Sequence, residues 1–190
     1  MDCKINEKKV SLEEAIEQVR KVCKRLALLH LSFSKEIINE LGEVKGEKLI
    51  LKAIKDYGVR IGKGVKETVS KQGFSNNPEN YKRGGDRDLP LYGMHDRTEA
   101  VVVNGEKRSR DYGCVMGKVW KELGEGKIGK YYCYVDPAKY MTFNPNYKLT
   151  HTKSIPNGDE YCEFKIEPTT KKEREDFFEK DINWSYIDKY

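Results

Sequence analysis

The chain has no Cys-x-x-Cys pair, no tract of glycine, proline or glutamine, no basic arm and no internal repeat. Nor does any apolar run approach the roughly 18 residues that a membrane span requires. Each absence removes a class. Without an apolar tract the chain has no expected membrane segment. Without low-complexity stretches, and with 37% hydrophobic residues, one packed core is the expectation for its 190 residues. Charged residues make up 35% of the chain, 36 basic against 31 acidic, and they are intermixed. That pattern is a solvated surface, so no nucleic-acid partner is expected. The start, Met1-Asp2-Cys3-Lys4-Ile5-Asn6-Glu7-Lys8-Lys9, lacks the apolar core of a signal peptide. A cytoplasmic location is therefore the expectation, with five cysteines kept as thiols.

What is present begins with a capping box, Ser11-Leu12-Glu13-Glu14. Leu12, Ile16, Val19, Cys23, Leu26, Leu29, Phe33, Ile37 and Leu41 follow at spacings of three and four. They predict one long amphipathic helix, or two broken between 30 and 34, stopped by Gly42. Cys23 lies on the apolar stripe and reads as a core residue, and His30 at its border reads as packed or half-exposed. A second helix is predicted over 47–72, with Leu49, Ile50, Ile54, Tyr57, Ile61, Val65 and Val69 at helical spacing. It carries Gly58, Gly62 and Gly64. Each interior glycine costs about 1 kcal/mol against alanine, so something must approach that face closely. Either a neighbouring helix or a ligand fits, and a two-fold homodimer or the C-terminal tail can cover the face. Gly62-Lys63-Gly64 lacks the preceding strand and third glycine of a dinucleotide loop.

Residues 73–94 read as a polar loop with turns, a candidate lid. Asn104-Gly105 then marks a hairpin between strands at 97–103 and 106–112. Cys114 stands where the hairpin passes into a third helix, 115–123, ended by Gly124. A thiol at a helix N-terminus is expected to be stabilised as thiolate. Residues 130–135 read as a short helix or strand, and Asp136-Pro137 as a helix start with Asp136 as N-cap. Strands are predicted at 147–155 and 161–166, joined by the turn at Pro156-Asn157-Gly158-Asp159. Residues 171–190 are charged with scattered aromatics, a terminal helix or a covering tail. Helices first and an antiparallel sheet after them make an α+β domain.

Three cysteines carry the chemical interest. Cys114, Cys133 and Cys162 sit at element junctions, the last two with carboxylates nearby in sequence: Asp136, and Asp159, Glu160 and Glu163. Thiols with carboxylates suit nucleophilic or acid–base chemistry. With His151 they also compose a Cys3His set for zinc, though structural zinc sites nearly always contain one close pair. Buried packing is the third reading of the same thiols.

The stretch 113–166 resembles the L-2-amino-thiazoline-4-carboxylic acid hydrolase family. The matching residues are Cys114 before a helix ending Glu122-Leu123-Gly124; Tyr132-Cys133-Tyr134-Val135-Asp136; Phe143-Asn144-Pro145; Leu149-Thr150 and Lys153-Ser154; and Asn157-Gly158-Asp159-Glu160-Tyr161-Cys162-Glu163-Phe164. The resemblance implies a helical layer beside an antiparallel sheet, similar to the TRAPP and vinyl-reductase type of ligand-binding domain and often homodimeric. It also implies hydrolytic opening of a small cyclic amidine to an N-carbamoyl amino acid, with no cofactor. Cys114, Cys133, Asp136 and Cys162 are the catalytic candidates on this reading, and Asn144, His151 and Arg97 the substrate-binding ones. Arg83 and Arg87 are further candidates to hold a substrate carboxylate. Residues 1–168 form the expected domain and 169–190 the tail. A non-catalytic sensor that binds a small planar ligand is the rival reading.

Overall fold

The computed structural model describes residues 9–179 and 183–188. Helix α1 (Leu12–Leu41) starts with the expected capping box: Ser11 Oγ accepts from the Glu14 amide at 3.1 Å, and the Glu14 carboxylate accepts from the Ser11 amide at 3.0 Å. With no proline or glycine inside it, α1 runs unbroken to Gly42. Helix α2 (Glu43–Lys71) begins at once and folds back along α1. Gly58 and Gly62 answer to a helix of the same chain. A methyl on Gly58 would lie 2.6 Å from that of Ala138, and one on Gly62 would meet the Lys139 carbonyl and the Thr142 side chain. Ala138, Lys139 and Thr142 belong to the later helix α5 (Val135–Phe143). The glycine face is thus filled internally, which corrects the expectation that a second chain covers it.

Residues 73–94 are more ordered than a polar loop. Pro78–Arg87 forms 3-10 turns kinked at Gly84, anchored by Tyr81, which is buried with Val65, Val69 and Phe143. The hairpin matches expectation: β1 (Arg97–Val103) and β2 (Glu106–Tyr112) join at Asn104 (φ 52°) and Gly105 (φ 80°), both left-handed as the two-residue turn demands. Helix α3 (Val115–Glu122) follows, then a short α4 (Gly126–Gly129), 3-10 turns at Lys130–Tyr134, and α5 without interruption. Because the helical path already runs through 130–134, Asp136 falls in the first turn of α5 and is not its N-cap.

Strands β3 (Tyr147–Lys153) and β4 (Tyr161–Pro168) complete an antiparallel sheet of order β1-β2-β4-β3. A register shift interrupts β3 between His151 and Lys153. α5 is the central element, packed on α2 and on β3. Trp120 of α3 ties the helices together: it is 1% exposed, sits among Cys23, Ala27 and Leu31, and donates to the Ala27 carbonyl at 3.0 Å. Last, α6 (Lys171–Phe178) and a 3-10 turn at Ser185–Ile187 place Phe177, Trp184 and Ile187 against Ala138 and Met141. The fold is a helical layer packed on an antiparallel sheet. Among the described residues no helix is long and apolar enough to cross a membrane.

Candidate functional site

The three junction thiols line one cavity. Cys114 arrives at the N-cap of α3, Cys133 in the 3-10 turns before α5, and Cys162 on β4. Side chains two apart on a strand share a face, so Phe164 lines the cavity beside Cys162, and Asp111 and His151 enter from the neighbouring strands β2 and β3. The cavity volume is about 70 Å³. One water occupies about 10–15 Å³ in such a measure, so the cavity holds a handful of water-sized groups. Across shared walls at Tyr57, Met94, Met116 and Tyr132 it adjoins a wider apolar cleft of about 370 Å³ against Val19, Val22 and Leu26 of α1. Cys23 stays in the core, with one edge on that cleft, and Cys3 lies outside the described residues.

A chain of alternating charges runs along the cavity wall. Asp88 meets Lys139 Nζ at 3.0 Å, Lys139 meets Asp136 Oδ1 at 2.8 Å, and Asp136 Oδ2 lies 3.4 Å from His151 Nε2. On the far side of the ring, His151 Nδ1 lies 2.7 Å from Asp188 Oδ2, and Asp188 Oδ1 accepts from the His151 amide at 2.9 Å. Both the lysine and the imidazole are enclosed, and buried charges persist only when paired. Burial opposes the charge on Lys139, but Asp136 and Asp88 outweigh it and hold the ammonium well above its ordinary range. Burial likewise works against an imidazolium at His151. Hydrogen bonds to Asp136, Asp188 and Cys133 win, and the ring is held protonated well above its usual value. Asp136 is buried too, which alone would raise it; Lys139 and His151 reverse that and keep the carboxylate ionised far below its ordinary range.

The thiols are not alike. Cys114 Sγ accepts from the Gly117 amide at 3.5 Å, as a helix N-cap should. Burial nevertheless dominates and, with Cys162 close by, drives its pKa far up. The expected thiolate at Cys114 is therefore corrected: enclosure overrides the helix terminus. Burial also pushes Cys162 up to about 12. Cys133 is the thiol that hydrogen-bonds the protonated His151. Among the described residues no three His, Cys, Asp or Glu side chains form a metal-ligand arrangement, so the Cys3His set does not assemble as one.

Other sequence candidates fall elsewhere. Arg97 is exposed on β1 with its guanidinium 4.0 Å above the Tyr112 ring, outside the cavity lining. Asn144 caps α5: it donates to the Asn76 carbonyl and accepts from the Asn146 amide, so its side chain is used up in turn geometry. Arg83 stacks on Phe74 at 3.8 Å, and the Arg87 side chain lies outside the described residues. Asp159 accepts from the Ser154 amide at 2.8 Å, a turn residue. Glu163, next to Cys162 in sequence, turns to the opposite face of β4 and pairs there with Arg108 and Arg110. Sequence reasoning missed Asp88, His95, Asp111, Lys139 and Asp188. Only Lys139 had a local signal, its i,i+3 spacing from Asp136 on one helix.

The family model of L-2-amino-thiazoline-4-carboxylic acid hydrolase matches residues 20–166. No curated protein sequence matches the chain significantly. Among solved structures, the chain is similar to the phenol-responsive sensory domain of the transcription activator PoxR, crystallised with phenol, at 15% identity and a TM-score of 0.51 over 77% of this chain and 74% of that one. At that identity the likeness shows a shared fold. Cys114, Cys133, Asp136, Lys139, His151 and Cys162 all lie within the matched stretch, and Asp188 lies beyond it. The chain belongs to the L-2-amino-thiazoline-4-carboxylic acid hydrolase family.

Proposed function

We propose that the protein hydrolyses a small cyclic amidine of the 2-aminothiazoline-4-carboxylate type, with Cys133 as nucleophile and His151 as proton carrier. The observation that carries this reading is that Cys133 and the doubly paired His151 line one cavity, next to two thiols that burial keeps protonated. The thiolate of Cys133 adds to the amidine carbon, and the imidazolium of His151 gives its proton to the ring sulfur as the carbon–sulfur bond of the ring breaks. The carbon is then held to Cys133 as an isothiourea, and His151 is neutral. Water adds to the same carbon and passes a proton to His151, and the Cys133–carbon bond breaks. The products are the N-carbamoyl amino acid with a free thiol and the regenerated Cys133–His151 pair. Asp136 holds His151 Nε2 on the cavity side. Lys139 is the cation within reach of a substrate carboxylate, in the role first given to Arg97.

Incubation of the purified protein with 2-aminothiazoline-4-carboxylic acid tests this by the appearance of free thiol. Continuous release in the wild type, reduced on the order of 10³-fold or more in Cys133→Ser, is the expected result. The rival is a sensor whose cavity binds a small planar ligand without turnover, a reading favoured by the adjoining apolar cleft and by what the PoxR domain binds. Absence of thiol release, with a ligand retained through purification, decides for the sensor.

Assembly belongs to the same reading. Val22, Leu26, Leu29 and Phe33 are exposed along one stripe of α1 at spacings of four, three and four. A two-fold homodimer through α1 covers that stripe and closes the cleft beside it.

A further inference from the structure

The carboxylate behind His151 comes from a part of the chain that the family match does not include. Asp188 follows the 3-10 turn at Ser185–Ile187, beyond residue 166. One carboxylate there binds both the ring and the main chain of a single residue: Oδ2 to His151 Nδ1 at 2.7 Å, Oδ1 to the His151 amide at 2.9 Å. β3 is the edge strand of the sheet and is shifted in register just after His151. An outward amide on such a strand lacks a ladder partner, and Asp188 supplies it. The turn that carries Asp188 is anchored in turn: Trp184 and Ile187 are 4% and 0% exposed and pack with Phe177 against Ala138 and Met141 of α5.

We propose that the C-terminal segment is a working part of the reaction centre, with Asp188 as the positioning residue that fixes the orientation of His151 and keeps a proton on Nδ1. The proposal rests on His151 as proton carrier, but its test does not require turnover. A carboxylate at Nδ1 leaves Nε2 as the ring atom that faces the cavity, where Asp136 lies 3.4 Å away and Cys133 within hydrogen-bonding reach. The titratable groups facing the ring are Asp188 from the tail, Asp136 from α5, Cys133 and Tyr134 from the preceding turns, and Cys162 from β4. Lys139 stands one step further, behind Asp136. Of the two carboxylates, only Asp188 also holds the backbone of residue 151.

The chain has three histidines, so ring signals can be followed singly by NMR. In Asp188→Asn, nearly isosteric and still able to accept from the His151 amide, the His151 midpoint should fall by about one unit or more, a tenfold loss of proton affinity. The pH profile of Cys133 alkylation by iodoacetamide should move with the His151 midpoint, and Asp188→Glu should stay nearer the wild type than Asp188→Asn in both readouts. A folded Asp188→Asn protein with unchanged midpoint and alkylation profile overturns the proposal and leaves Asp188 as a tail anchor. If that variant unfolds, the wild-type ring nitrogens decide: two protonated nitrogens with a hydrogen-bonded Nδ1–H support the proposal, and a neutral ring contradicts it. Because neither readout is turnover, a protein that fails to open an aminothiazoline can still pass.

Discussion

Two buried ionic clusters lie back to back across β4, and they differ in what they enclose. On the outer face Glu163 binds Arg108 at 2.7 Å, Arg110 at 2.8 Å and the Thr152 hydroxyl at 2.6 Å. All four residues lie on adjacent strands, and Arg110 is the cross-strand partner of Glu163 in the ladder. None of the four lines either cavity. The inner cluster, Asp88–Lys139–Asp136–His151–Asp188, draws on four separate segments and borders a cavity lined by thiols. Buried ion pairs therefore do not by themselves mark a site. Distant charges gathered around unfilled space and a nucleophile do.

The comparison is broken most severely at Lys139. Lys139→Met leaves Asp88 buried without its cation and Asp136 with His151 alone, and a loss of about 3–5 kcal/mol is expected in urea denaturation. Asp88→Asn with Lys139 intact should cost less, since Asp136 remains. Next is the outer cluster. Glu163→Gln should cost about 1–3 kcal/mol and leave Cys133 alkylation unchanged, because its partners face away from the cavity. An alkylation rate that follows Glu163 would mean the two faces are coupled.

The pH dependence of stability sharpens the same contrast. Glu163 is buried, which raises it, but the Thr152, Arg108 and Arg110 bonds bring it down to about 2 from 4.5. A depressed carboxyl stabilises the fold fully above its unfolded value, and that stabilisation is lost as pH falls from about 4.5 towards 2. Asp136 acts in the same direction. His151 has the opposite sign: its raised value stabilises the fold below 6.5, a contribution lost only as pH climbs through the raised value. Acid denaturation of Glu163→Gln should therefore be shallower than that of the wild type, with the alkaline limb unaltered. The smallest effect concerns assembly. Phe33→Glu on the exposed stripe should leave the melting temperature nearly unchanged and shift sedimentation from dimer to monomer. A wild-type monomer at high micromolar concentration would remove the dimer.

Much of the fold was legible because its signals are local. The Ser11 capping box and the Asn104-Gly105 turn each act within a few residues, and each formed as read. Helix α1 formed as the unbroken one of its two readings, but it buries Cys23, Ala27, Leu31 and Ser34, while Leu26, Leu29 and Phe33 of the expected stripe are exposed. Asp136 was read as a cap because the helical run through 130–134 carries no strong periodicity, yet it continues into α5. The thiols could be grouped from their positions at junctions. Their charge states could not, since Cys114 is governed by enclosure rather than by the helix it caps. Arg97 was chosen as a cation near the motifs, whereas the cavity cation is Lys139, in a helix whose hydrophobic neighbours hide it. Asp88 reaches the site from the middle of the chain and Asp188 from a segment a hundred residues later, with no spacing rule to foretell them.

The measurement closest to the central claim is mass spectrometry of protein mixed with 2-aminothiazoline-4-carboxylic acid and quenched in acid during turnover. The account predicts a covalent increment equal to the intact substrate, carried on the peptide that contains Cys133 and missing in Cys133→Ser. Steady turnover with no increment on Cys133, or with the adduct on Cys114 or Cys162, would contradict it.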